Sequence, residues 1–214
     1  IDMYAYGDKQ GGNALLRIYD TNIYLINSSN VFFYFNQIKD RQDETSSPTG
    51  SPIDVFFDCI VCSDCNDIKF VGDSFVYSFR TIGLSYTDIN HDWIQMDGCY
   101  NVEIGNSTIP CDSSFTRKSI QIINSYHVYL HDLKIQNART TISLSGVNET
   151  KIINVNAISS DNGISIKESS NLNITNFNMT GGKTGIYIYM TDGIRIDDCQ
   201  LVGQETSIKM YYVN

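Results

Sequence analysis

The last third of the chain repeats itself every 22 residues. Thr141-Ile142-Ser143-Leu144, Gly163-Ile164-Ser165-Ile166, Gly185-Ile186-Tyr187-Ile188 and Ser207-Ile208-Lys209-Met210 align without gaps. Two further sets keep the same step: Thr150/Ile152, Leu172/Ile174 and Ile194/Ile196, then Val155/Ala157, Phe177/Met179 and Cys199/Leu201. Within each set the apolar positions alternate, the period of a strand with one buried face. Three short strands per repeat predict an all-β parallel solenoid, in which each rung buries its apolar face only against its neighbours.

The same frame extends backward. First-strand inward residues fall at Ile23, Ile60, Ile94, Ile120 and Ile142, steps of 37, 34, 26 and 22. One spacing never changes. The second inward residue of strand one precedes the first inward residue of strand two by six, from Leu25 to Val31, Cys62 to Ile68, Met96 to Val102, and on to Ile188 and Ile194. Extra length therefore falls after the second or third strand. Two stretches are expected as insertions. Residues 39–54 are polar, with Pro48, Gly50 and Pro52, and read as a loop; residues 71–91 carry Phe75, Tyr77, Phe79 and Tyr86, which would order them against the solenoid flank. Residues 1–22 are expected as an incomplete first rung or cap. The whole of 1–214 then reads as one domain of about seven rungs.

A formal net charge of −9 argues against nucleic acid and anionic membrane surfaces as partners and favours plain solubility. No apolar run reaches the roughly 18 residues that a membrane-inserted helix needs. No signal peptide is present and the chain begins at Ile1, as a mature form or a fragment would.

Between strands two and three, Asn106, Asp132, Asn154, Asn176 and Asp198 stand at equivalent places. Asn and Asp tolerate the left-handed conformation of a sharp bend, and stacked side chains can hydrogen-bond along the ladder. Three strands per rung, this asparagine-bearing bend and variable loops after strand three resemble the right-handed parallel β-helix of pectate-lyase-like proteins, over residues 16–214. The resemblance implies the fold. It does not select a function, because that fold hosts polysaccharide lyases, glycoside hydrolases, esterases, viral tailspikes, adhesins and inert scaffolds.

Six cysteines suit either an extracellular protein with disulfides or a core with scattered thiols. Cys65 and Cys99 occupy equivalent turns of adjacent rungs, about 5 Å apart by strand spacing, so a Cys65–Cys99 disulfide is predicted. Cys62 and Cys199 fall in inward columns as core thiols. Cys59 and Cys111, near loop junctions, form a second candidate pair. The run Cys59-Cys62-Cys65 invites a zinc reading, but strand alternation turns Cys59 outward and Cys62 inward. No metal and no cofactor is expected.

One column carries candidate chemistry. Two residues before strand one, Asp58, Asp92 and Lys118 are neighbours on successive rungs. Paired carboxylates beside a lysine are raw material for acid–base catalysis, and equally form a solvated charge ladder. Asn90-His91-Asp92-Trp93-Ile94 is similar to the Asn-Thr-Asp-Gly-Ile stretch of polygalacturonase-like glycoside hydrolases, which implies a catalytic Asp92. The later elements of those enzymes are replaced here by Arg117-Lys118 and Arg139-Thr140-Thr141. The neighbouring charged column His91, Arg117, Arg139, Asp161, Lys183 and Glu205 reads as structural. Of the three histidines, His91 and His127 lie outside the inward columns and His131 faces outward on strand two, so no triad is expected.

Outward Tyr187, Tyr189 and Tyr211 could stack on sugar rings. Sequons at Asn27, Asn148, Asn173 and Asn178 are candidate glycosylation sites, that at Asn106 being hidden in the bend. Ile208-Lys209-Met210 opens a rung whose edge is uncovered. The sequence thus reads as an extracellular, cell-surface or virion-surface β-helix. Its expected role is structural or adhesive, with further rungs or copies of itself stacked end to end. The alternatives are a polysaccharide hydrolase or lyase and a tailspike-like glycan binder.

Overall fold

The computed structural model describes residues 16–34, 37–41, 53–72, 74–78, 89–111, 116–158 and 160–213, with side chains described over 25–32, 60–72, 93–111, 118–158 and 160–213. Its strands pair in parallel, in one continuous ladder per face. In the first sheet Ile23 registers with Ile60, Ile60 with Ile94, Ile94 with Ile120, and then Ile142, Ile164, Ile186 and Ile208 follow. In the second, Val31, Ile68, Val102, Val128, Thr150, Leu172 and Ile194 align. In the third, Ile109, Ile135, Ala157, Met179 and Leu201 do so. The molecule is a parallel β-helix whose regular rungs are 22 residues long.

Alternation fills the interior. Ile60, Ile94, Ile120, Ile142, Ile164 and Ile186 are buried, as are Ile104, Leu130, Ile152 and Ile174 on the second sheet. Burying one such side chain is worth roughly 1.5–3 kcal/mol, so the stacked columns are the main stabilising term.

The invariant six-residue spacing has a local cause. The corner between the first and second sheets holds two left-handed residues three apart in every rung: Asn27 and Asn30, Asp64 and Asp67, Gly98 and Asn101, Asn124 and His127, Gly146 and Glu149, Glu168 and Asn171, Met190 and Gly193. This backbone leaves no room for a length change. The bend between the second and third sheets needs one such residue, at Asn106 (φ 49°), Asp132 (51°), Asn154 (55°), Asn176 (53°) and Asp198 (52°). Each non-glycine residue held there costs about 1 kcal/mol. Side-chain ladders offset it: Asn154 Nδ2 donates to Asp132 Oδ1 and Asn176 Nδ2 to Asn154 Oδ1, both at 2.9 Å, and Asn101 Nδ2 donates to Asp67 Oδ1 at 2.8 Å.

Inside that first corner runs a column of small residues, all but one of them donors: Ser28, Cys65, Cys99, Ser125, Val147, Ser169 and Thr191. All but Val147 turn their hydroxyl or thiol back to the carbonyl two residues earlier, as Ser125 does to Ile123 (2.7 Å), Ser169 to Lys167 (2.7 Å), Cys65 to Ser63 (3.2 Å) and Cys99 to Asp97 (3.5 Å). The expected Cys65–Cys99 disulfide is not formed; both are buried free thiols. Rung spacing does bring their backbones close. In-register parallel strands, however, hold Cβ vectors parallel at about 4.8 Å, beyond the roughly 3.8 Å mean of a disulfide. Each sulfur therefore acts as a serine hydroxyl does elsewhere in the column.

The expected insertions are shorter than their sequence bounds. Gln37–Arg41 and Ser74–Ser78 are parallel strands paired from Gln37↔Ser74 to Arg41↔Ser78, and a strand resumes at Ile53–Ser63. The remainder, 42–52 and 79–88, lies outside the described residues, as do 1–15 of the expected cap.

Candidate functional site

The backbone places Asp58 opposite Asp92 and Asp92 opposite Lys118, next to an irregularity between His91 and Asp92. The side chains of Asp58 and Asp92 lie outside the described residues. The three tyrosines do not make one flat platform. Tyr187 and Tyr211 are tilted by 56° at 6.1 Å, and Tyr189 meets the edge of Tyr212 at 88° and 5.9 Å. Lys209 lies over Tyr211. Among the sequons, Asn27 is exposed at its corner, whereas Asn148 accepts from Ser170 and Asn171, Asn173 accepts from its own Thr175, and Asn178 donates to Asn176.

The densest polar construction among the described side chains lies on the outer face of the second sheet, around His131. This residue points outward, yet only 8% of it is exposed. It lies over Gly105, its register partner on the preceding rung, where any Cβ would collide with the imidazole. Tyr129 stacks on it at 4.3 Å and 21°. Its Nδ1 is 2.8 Å from Asp132 Oδ2 and its Nε2 3.3 Å from Glu103 Oε1. Glu103 Oε2 pairs in turn with Lys69 Nζ at 2.7 Å. The bond to His131, then that from Asn154, holds the Asp132 carboxyl below its usual range. Burial pulls Glu103 upward, but the bonds to Lys69 and His131 outweigh it and leave that carboxyl low as well.

Asp132 is the hinge between this cluster and a shallow groove along the second bend. The groove is lined by Asn106, Ser107, Thr108, Asp132, Leu133, Lys134, Asn154 and Asn156. Asn106, Thr108, Lys134, Asn154 and Asn156 are exposed, so amides, a hydroxyl, an ammonium and a carboxylate face solvent on three successive rungs. Sequence reasoning assigned the bend a structural role and set His131 aside. The available signal was Lys69, Glu103 and Tyr129 in one outward column, one residue pair away from Gly105 and His131.

The family described as periplasmic copper-binding protein (NosD) matches residues 59–213. The chain belongs to the NosD family. No curated protein matches it. Among solved structures it is similar to the enzymatically active domain of bacteriophage CBA120 tailspike protein 2 (10% identity, TM-score 0.28, covering 94% of this chain and 44% of that one). It is similar also to the periplasmic alginate epimerase AlgG, as a double mutant (10% identity, TM-score 0.33, covering 83% and 54%). The chain spans about half the length of each.

Copper, which the NosD description implies, prefers thiolate, thioether and imidazole donors. Cys62, Cys65, Cys99 and Met96 supply soft atoms on adjacent rungs. Burial favours the neutral thiol of Cys62 and of Cys99, the latter pushed up to about 11. The thiols of Cys65 and Cys99 are already donated to carbonyls. Among the described residues no three His, Cys, Asp or Glu side chains gather as a metal would require. The described residues of this NosD chain do not fit a copper site.

Proposed function

We propose that this NosD-family chain is an extracytoplasmic β-helix that binds a polysaccharide along the groove at its second bend, without cleaving it. One observation carries the reading: exposed amides recur along the same bend, joined on successive rungs by a hydroxyl, a carboxylate and an ammonium, with Asp132, Asn154 and Asn176 tied in register. A polymer of sugars presents hydroxyls at regular intervals, and planar amides and carboxylates can donate to or accept from them. The net charge of −9 favours a neutral polymer over a polyanion. The location follows the family's description as periplasmic.

Native affinity gels containing dextran, xyloglucan or galactomannan, with alginate as the anionic control, test this. The chain is expected to be retarded by at least one neutral polymer, and Asn156→Ala is expected to lose most of that retardation. Equal mobility in all four gels removes the reading.

A second reading has its own observation. The strand Thr206–Val213 pairs with Thr184–Asp197 and leaves Ile208, Met210, Tyr211 and Tyr212 exposed by 41%, 48%, 44% and 77%. The complement of such an edge is a rung of the same pattern, which further rungs of a longer chain or a second copy would carry. Sedimentation velocity should then show concentration-dependent association weakened by Met210→Lys. A single species at every concentration removes end-to-end stacking of copies.

A further inference from the structure

We propose that His131, as an imidazolium, is the positioning residue that sets the groove's carboxylate and amides in place, so that polysaccharide binding is lost as the imidazole gives up its proton. The inference rests on the groove being the binding site. It does not require His131 to touch the sugar.

The argument is one of donors. A neutral imidazole has one N–H and one lone pair, whereas an imidazolium has two N–H groups. Both ring nitrogens of His131 face carboxylate oxygens, Nδ1 that of Asp132 and Nε2 that of Glu103. Only the doubly protonated ring satisfies both. In the neutral ring one lone pair is set against an anionic oxygen. The ring has little freedom to turn away. Gly105 lies beneath it, Tyr129 is stacked on it, and Ile153 follows in register on the next rung.

The charges around it close the account. Glu103 comes from Tyr100–Pro110 and is held by Lys69 from Asn66–Val71; Asp132 comes from the histidine's own strand, Tyr126–Gln136. Lys151, on Asn148–Ile158, is in register with Tyr129 and exposed. Lys69, Glu103, His131 and Asp132 sum to zero with the ring protonated and to −1 without that proton. Loss of the proton frees one oxygen of Asp132 or Glu103.

Asp132 transmits the change. Its Oδ2 is on His131 and its Oδ1 accepts from Asn154 Nδ2, whose own Oδ1 accepts from Asn176. A carboxylate gripped at both oxygens fixes the Asn154 amide, a groove-lining group. Released at Oδ2, it can rotate and take the amide with it. The cluster thus has an acid limit and a basic one. Below the depressed range of Asp132 and Glu103 the carboxylates are neutralised; with the ring singly protonated, one of the two bonds that hold them is lost.

The test uses the whole chain. The His131 imidazole and the Asn154 side-chain amide are followed by NMR across a pH titration without ligand, and retardation in the polymer gel identified above is measured over the same range. The expected result is that the Asn154 amide shifts with the midpoint of the His131 ring and that affinity falls about tenfold across it, the worth of one charge-assisted bond. His131→Gln should bind weakly at every pH with a flat profile, and Glu103→Gln should move the wild-type midpoint to lower pH. An Asn154 amide that stays still while His131 titrates overturns the inference. So does a wild-type affinity that is flat through the His131 midpoint. An amide that moves in a chain that no polymer retards upholds the positioning role and fails the carbohydrate reading.

Discussion

The second sheet has two kinds of outer surface. On the rungs from Asn66 to Gln136 the outward residues touch one another: Lys69 to Glu103, Glu103 to His131, His131 to Asp132 and Tyr129. On the later rungs the same columns carry Lys151, Asn173 and Arg195, and Ile153, Thr175 and Asp197, with the bend ladder as the persistent contact. The interior is continuous through both, mostly Ile, Leu and Val, with Cys62, Met96 and Trp93 in the earlier rungs and Phe177 and Met179 in the later ones. The outward contacts of the regular rungs in those columns stay within one strand, Thr175 to Asn173 and Arg195 to Asp197, whereas the earlier rungs join residues of three strands in one charge network. Such a network costs desolvation, and the proposed role of this stretch as a binding face is what that cost would serve.

Four substitutions probe that contrast. Ile164→Ala, in the regular part, removes a fully packed side chain and should cost ~2–5 kcal/mol in chemical denaturation while leaving the His131 resonances in place. Gly105→Ala, beneath the imidazole, should cost ~1–3 kcal/mol by forcing the ring outward, and should abolish the Tyr129 stacking seen in ring-current shifts. Equal effects of both changes on His131 would erase the distinction between the two regions. Asn176→Ala keeps the core and removes a ladder bond at a left-handed residue, an expected loss of ~1 kcal/mol in the denaturation midpoint. Cys65→Ser should be nearly silent, under ~1 kcal/mol, because the hydroxyl repeats the contact that serine makes elsewhere in that column. The midpoint should also be indifferent to reductant; a drop on reduction would restore the disulfide.

The thiols give a pH prediction as well. The Cys99 value rises from 9.0 to about 11 because burial disfavours the thiolate. The unfolded chain therefore loses its proton first. The associated stability is whole below pH 9, declines toward about 11, and should decline less in Cys99→Ser.

Architecture was legible because periodicity is a one-dimensional signal: Ile142, Ile164, Ile186 and Ile208 announce their own register, and the six-residue spacing carried it back to Ile23. The candidate site was not. The contact between Glu103 and His131 spans 28 residues and depends on Gly105 lacking a side chain, which the outward columns do not disclose unless they are compared pairwise. Cysteine chemistry failed differently. Column arithmetic gave Cys65 and Cys99 the right separation along the axis but says nothing of the parallel Cβ directions. Ser28, Ser125 and Ser169 in the same column were the missed indication that a hydrogen-bond donor was wanted there.

The rigid corner between the first and second sheets has a consequence for how such a chain can change. Because its two left-handed residues admit no extra length, growth is confined to the other corners, as the spacing of the earlier rungs shows. A whole repeat could be excised between Thr141 and Gly163, or duplicated there, and every remaining column would stay in phase. Deleting a single residue from Gly146 to Glu149 would instead turn the following strand inside out. The molecule is in this sense a stack of interchangeable parts with one fixed joint. Its length is free to vary in units of a rung while the face it presents stays the same.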